Sequence, residues 1–331
     1  MKIGKVSQTV LKRSMLKPLQ FHRDEALFEP SVEEMCYGVR CKQGETILCS
    51  DVVLYGNEKD LGVFALAQVY NHLATRTAKM VGISVHILLP PYAYESRLKS
   101  MVECLENAAG TREVQVLSVK AEVSPVIQST VLYMTGIGIV KEAELRTSSM
   151  GKAEQDIVLL KWIGLEGTLR ILRQKEDALK ERFVPAFLNQ LKGMEDELFS
   201  GELLDIAKEY GVSAMHQITG GGILAALWEL AEASGIGLSV DLKNMSIRQE
   251  TVEICEFFHL NPYQLTSAGS ILLVVDQGEA LVEQYRNMGI CATLLGRTTR
   301  DTARVIVGGE EKRFLDRPAP DELFKLYEVA E

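Results

Sequence analysis

Apolar and polar positions along the first 150 residues switch between a period of two and a period near 3.6, so strands and helices alternate. Residues 45–54 (ETILCSDVVL) predict a strand interrupted by polar Ser50 and Asp51. Residues 59–79 predict a helix with its apolar stripe on Leu61, Phe64, Leu66, Val69 and Leu73. Residues 81–89 are β-branched and apolar, and Pro90-Pro91 stops them. A second helix is predicted over 96–109, with Gly110 as its C-cap, and further strands over 114–123 and 130–139. Residues 141–156 are polar and charged, which places a domain boundary there and divides the chain into 1–150 and 151–331.

The second half repeats the alternation. Residues 157–160 predict a strand, and Gly164 and Gly167 punctuate the turn into a helix over 166–182. A helix over 200–210 ends at Gly211, and a short strand over 212–216 runs into Thr219-Gly220-Gly221-Gly222. These residues open a helix that ends at Gly235, with Leu224, Leu227, Trp228 and Ala231 as its buried stripe. Strands over 238–241, 270–275, 291–297 and 304–307 alternate with helices over 248–258 and 284–288. The fold class is therefore α/β (α+β) in two domains.

Composition narrows the function. In 331 residues, 47% are apolar and 24% charged, the balance of a globular protein. A net charge of -9 leaves no basic field for nucleic acid or anionic lipid. The first residues, MKIGKVSQTVLKRSMLKPL, lack the apolar core of a signal peptide, and no apolar run reaches membrane-spanning length, so a cytoplasmic protein is expected. Six cysteines form no CxxC pair and no zinc-spaced cluster, which predicts reduced thiols.

The glycine run at 219–222 is the leading candidate for chemistry. Glycines let a backbone approach a phosphate closely, and a helix start offers N–H groups and partial positive charge. The same run also suits a tight strand-to-helix turn in which glycine serves packing. It is neither a Walker loop nor a dinucleotide fingerprint. Asp51, within a strand, and Glu122, in KAEVSP, are carboxylates that could hold Mg²⁺ or sit at turns. His72 and His216 are acid–base candidates with no orienting partner evident in sequence.

The stretch MHQITGGGILAALWELAEASGIGLSVDL resembles the C-domain signature of PurM-like (aminoimidazole ribonucleotide synthase) proteins, and WIGLEGTLRIL is similar to that family's Gly-x-Glu-Gly-Thr helix start. IRQETVEICEFFHLNPYQLTSAGSILLVV is similar to its next segment, and KIGKVSQTVLKRSML looks like the opening of the HypE-like hydrogenase-maturation branch. The resemblance implies an N-terminal mixed-sheet domain pairing as a homodimer, with ATP bound between these domains and a C-terminal α/β domain. It implies ATP-dependent activation of an amide-like substrate, with Mg²⁺ held by acidic side chains. Carried over onto this chain, nucleotide contacts fall on Asp51, Asn71, Glu122, Thr219, Gly220, Gly221 and Gly222, with Asp51 and Glu122 as metal ligands.

The chain departs from the family pattern where carboxylates are expected: Met35 and Cys36, His72, and Gln217 stand in their places, with Glu33 and Glu34 just upstream of the first pair. A stripped acid shell implies weak binding of Mg·ATP. HypE-like proteins also end in a thiocarbamate-carrying cysteine, whereas the last cysteine here is Cys291, so cyanide-ligand synthesis by a swinging tail is not expected. Two functions follow: ATP-dependent activation of a substrate the sequence does not name, in metalloenzyme or hydrogenase maturation, or a non-catalytic dimeric scaffold that kept the loop for ligand binding.

Overall fold

A computed structural model describes Leu27 and residues 36–40, 44–309 and 311–327. The first sheet contains β1 (Cys36–Arg40), β2 (Glu45–Tyr55), β3 (Lys79–Leu89), β4 (Gln115–Val123) and β5 (Val131–Lys141), in the order β1-β2-β5-β3-β4. Among the described strands of this sheet only β3 and β4 pair in parallel, and α2 (Glu95–Gly110) supplies the crossover that a parallel pair requires. Helix α1 (Leu61–Ala74) joins β2 to β3 and covers the inner face of this sheet. Alternation along β2 turns Leu48, Ser50, Val52 and Leu54 toward α1. The opposite face carries Tyr37, Val39, Ile47, Val53, Tyr55, Tyr133 and Ile139, all exposed.

The second sheet runs β12-β11-β8-β10-β6-β9-β7 and holds β6 (Asp156–Leu160), β7 (Ala214–Gln217), β8 (Gly237–Asp241), β9 (Ile271–Val275), β10 (Ala292–Thr299), β11 (Arg304–Gly308) and β12 (Glu311–Phe314). All five residues of β9 are buried, because helices cover both faces: α7 (Gly222–Ser234) on one side, α6 (Gly201–Ala207) and α9 (Gly278–Asn287) on the other. Helices α3 (Leu165–Gln174), α4 (Glu176–Arg182), α5 (Pro185–Lys192) and α8 (Gln249–Phe257) complete the fold. They share one hydrophobic cluster with α1 and the first sheet, so this cluster crosses between the halves.

Several local expectations are corrected. The helix predicted over 59–79 ends at Ala74: Thr77 adopts φ +59°, and Lys79 already begins β3. The helix predicted over 166–182 breaks at Lys175, which leaves helical dihedrals at φ -123°. Gly110 lies inside the last turn of α2, and Thr111 is the cap. Strands β1 and β12 were not foreseen. Both are edge strands, where the period-two signal is weak because neither face is fully covered.

A buried polar knot fastens the halves. Arg76, fully buried at the end of α1, donates to the Met215 carbonyl at 3.1 Å and to Ser148 Oγ at 2.9 Å. Ser148 Oγ lies 2.9 Å from His216 Nδ1, and His216 Nε2 lies 3.2 Å from Glu229 on α7. His216 is fully buried in this arrangement, so it is a structural member of the knot rather than an accessible acid or base.

Candidate functional site

A cavity of about 910 Å³ lies between the end of β2 and the second half of the chain. Its walls are Asp51 and Tyr55 from β2, Gln68 and His72 from α1, and residues 127–129 between β4 and β5. Arg170 from α3, Thr219 and Gly220 from the glycine run, and Thr266 line the other side, together with residues of the segment after β12.

The polar floor is organised by Glu166, a fully buried carboxylate in the first turn of α3. One oxygen accepts from Gln68 Nε2 at 2.7 Å; the other accepts from Thr266 Oγ1 at 2.6 Å and from the Ala268 amide at 3.0 Å. One turn later Arg170 places Nη1 3.8 Å from Glu166 and donates from Nη2 to the Tyr55 carbonyl at 3.2 Å. Its Nε has no partner among the described residues. Glu166 thus ties together one residue from α1, two from the loop before β9 and one on its own helix, and these partners satisfy its buried charge.

The predicted site residues divide. Thr219 and Gly220 line the cavity, as does Asp51. Asp51 accepts from Thr135 Oγ1 at 2.5 Å and from Tyr37 Oη at 2.8 Å, so both oxygens are already engaged. Burial, and then the bond to Asp51, hold the Tyr37 hydroxyl above its ordinary range. Gly221 and Gly222 adopt φ +89° and +67°, and a Cβ on Gly222 would lie 2.4 Å from the Tyr263 carbonyl oxygen. Both glycines therefore answer a packing and backbone need. The Gly222 amide donates to the Thr219 carbonyl at 2.9 Å, and the Gly221 amide to Asp321 Oδ2 at 2.8 Å.

Two of the expected residues, Asn71 and Glu122, do not line this cavity. Asn71 is fully buried, donates to the Leu198 carbonyl at 2.7 Å and accepts from the Ser200 amide at 2.9 Å. It ties α1 to the second half and does not line the cavity, because both ends of its amide are committed there. Glu122 is exposed on β4, 3.6 Å from His86 Nε2. Registers pair Asp51 with Thr135 and Ser84 with Thr135, while Glu122 pairs with Leu88. Glu122 therefore stands three strands from β2, roughly 14 Å across the sheet alone, too far for both carboxylates of one chain to hold one ion. No cluster of three His, Cys, Asp or Glu side chains suited to a metal occurs among the described residues. Glu33 and Glu34 lie outside the described residues.

Sequence reasoning missed Gln68, Glu166, Arg170, Thr266 and Asp321. The Glu166–Arg170 spacing of four on one helix was a readable signal. No local pattern connects Gly221 with Asp321, 100 residues away. Burial pushes the Asp321 carboxyl up to about 6, against the pull of the Leu323 and Gly221 amides, with Glu166 adding to the rise and Arg170 opposing it. His72 Nδ1 lies 2.8 Å from Ser50 Oγ, an orienting partner invisible in the sequence. Gln217, where the family pattern has a carboxylate, is buried with neither amide atom bonded to a described residue.

Residues 152–308 match the AIR synthase related protein C-terminal domain. A protein of Methanocaldococcus jannaschii named for hydrogenase expression and formation is 25% identical, over 96% of this chain and 95% of that one. Carbamoyl dehydratase HypE of Rhodobacter capsulatus is 22% identical over 74% of this chain and 71% of its own. Among solved structures, E. coli HypE superposes with a TM-score of 0.71 at 17% identity, covering 87% of this chain and 93% of that one. A structure titled AaThiL complexed with AMPPCP and TMP gives 0.72 at 14% identity, covering 95% and 99%. A HypE structure in complex with ATP gives 0.66 at 15% identity, covering 98% of each. No described helix is long and apolar enough to cross a membrane. With both sheets, the glycine turn and the Glu166 helix start in place, the chain carries an AIR synthase related C-terminal domain, shares the fold of the HypE and AaThiL structures, and is similar along most of its length to proteins named for hydrogenase formation.

Proposed function

We propose that this protein binds ATP in the cavity between its two halves and uses it to activate an amide-like group, within hydrogenase or other metalloenzyme maturation. The observation that carries this reading is the cavity itself. Its volume of about 910 Å³ falls in the range of nucleotide-sized ligand sites, and Thr219, Gly220 and the buried Arg170 converge on it. Relatives named for hydrogenase formation and carbamoyl dehydration, and a neighbour solved with ATP, agree with that use of the site. A non-catalytic dimeric scaffold would have no use for a floor in which Glu166 holds Gln68, Thr266 and Arg170 in register, so that alternative is not favoured.

In this reading Thr219, Gly220 and Arg170 contact the nucleotide, and Asp51 stands at the side of the cavity formed by the first sheet. The described residues do not form an acidic shell for Mg²⁺, so no step is assigned to a protein-held ion. The exposed apolar face of β1, β2 and β5 is proposed as the homodimer contact, and the chain is proposed to divide into domains near Gly151. Isothermal titration with ATP, with and without Mg²⁺, tests the reading. Binding at millimolar ligand or better is expected, weakened by Gly220→Val. Asp51→Ala should weaken Mg·ATP more than ATP alone only where this carboxylate meets the ion. Wild-type protein that binds no nucleotide at millimolar concentration overturns the proposal.

A further inference from the structure

Residues 316–327, which follow β12, contribute Ala319, Asp321, Leu323, Phe324 and Tyr327 to the cavity wall. The segment is seated at several points. Asp321 accepts from the Gly221 amide at 2.8 Å and from the Leu323 amide at 2.9 Å. Glu322 accepts from the Asn261 amide at 2.9 Å. Tyr327 donates to the Tyr55 carbonyl at 3.1 Å and accepts from Gln174 at 2.9 Å. The Ala319 carbonyl oxygen lies 3.1 Å from where a Cβ on Gly221 would be, so the segment rests directly on the glycine turn.

Gly221 is the N-cap of α7, a 13-residue helix whose N-terminal end carries partial positive charge. A backbone amide aimed outward from such an end is an anion contact, and here the anion set against it is a carboxylate of the chain itself. We infer that residues 316–327 form a strap in which Asp321 occupies the phosphate position of the glycine turn, so that a phosphate-bearing ligand reaches the Gly221 amide only when the strap lifts. This rests on the nucleotide reading above, and adds to it a competition between ligand and strap.

The strap is built to yield. Its only regular structure is a five-residue 3₁₀ turn, Glu322–Leu326, a weakly bonded form used in short pieces. Asp321 ionises reluctantly in place, since burial and Glu166 both work against its charge. Facing it are Glu166 and Arg170 from α3, with Glu322 beside it in the strap. A second anion arriving beside Glu166 and Asp321 would have Arg170 as its counter-charge in this wall, and lifting the strap removes one of the two competing carboxylates.

The test compares full-length wild type, Asp321→Ala and Asp321→Asn by isothermal titration with ATP, inorganic tripolyphosphate and adenosine. Hydrogen exchange of the 316–327 peptide is followed in parallel. Freeing a site that is otherwise closed raises apparent affinity by the inverse of the open fraction, so ATP and tripolyphosphate should tighten by about tenfold or more in Asp321→Ala. Adenosine, which carries no phosphate, should be unchanged. Asp321→Asn keeps the shape without the charge and should fall between. Saturating ATP should speed exchange in the wild-type strap. Equal ATP affinity in wild type and Asp321→Ala, a strap that stays protected with ATP bound, or equal tightening of adenosine and ATP would each overturn the strap while leaving nucleotide binding standing. Absence of ATP binding to wild type and both variants would overturn the nucleotide reading itself.

Discussion

At the scale of single residues, the glycine turn and its carboxylate partner make opposite demands. Gly222 is held at φ +67° with backbone oxygen 2.4 Å from a would-be Cβ, so alanine meets both backbone strain and a rigid obstruction. Gly222→Ala should destabilise the protein by about 2–4 kcal/mol in urea unfolding; a loss below half a kcal/mol would mean that the turn relaxes. Asp321 gives a pH signature. Its folded carboxyl is raised to about 6, above the unfolded value, so the folded state holds its proton more tightly. The associated stability is fully present below about pH 4 and is lost as pH rises through about 6, on the order of 2–3 kcal/mol. The difference in stability between wild type and Asp321→Asn should therefore change between pH 4 and 7 and level off above. A pH-independent difference would remove Asp321 from the account.

At the scale of elements, α1 and α3 define the site from opposite sides, and each is anchored by one buried polar residue. Asn71 fastens α1 to residues 198–200 through two hydrogen bonds. Asn71→Ala should cost about 1–3 kcal/mol through the orphaned Leu198 carbonyl and Ser200 amide, with ATP affinity within about twofold of wild type. A large loss of ATP affinity at unchanged stability would restore Asn71 to the ligand site. Glu166 anchors α3 differently, because its partners include Arg170 in the cavity wall. Glu166→Ala leaves a buried guanidinium without its carboxylate and should cost about 3–5 kcal/mol, measured by thermal or denaturant unfolding.

At the scale of the whole molecule, the exposed apolar face of the first sheet is the feature a solitary chain explains least. Tyr37, Val39, Ile47, Val53, Tyr55, Tyr133 and Ile139 lie on three neighbouring strands, and patches of this kind mark interaction surfaces. A dimer formed there should dissociate when Val53 or Ile139 is replaced by Asp, read by sedimentation velocity at micromolar concentration. A monomeric wild type would overturn it. The proposed division near Gly151 separates two sheets, and the second keeps a core cluster on each of its faces, but one hydrophobic cluster crosses the division, running from β2 through α1 to α3, α4 and α5. With the Arg76 knot buried between the halves, thermal unfolding should show a single transition.

The sequence by itself determined the properties that depend on neighbours close along the chain. The period of apolar residues sufficed for α1, β2, β9 and α7, because a helix or strand buries one face whatever it packs against. Gly235 ends α7 at φ +66° for the same local reason. The motifs around Glu166 and Gly220 carried the likeness to AIR synthase related C-terminal domains, since the residues of each lie together in the chain. Tertiary structure decided which of the candidate residues meet. Asn71 and Glu122 looked equivalent to Asp51 in sequence, yet sheet register and a long-range amide tie take them away from the cavity. Asp321 became a partner of the glycine turn only through folding across 100 residues, a contact for which the chain carries no local periodicity. Pairing between distant segments depends on strand order and packing, and these are set by the whole core rather than by any stretch within it.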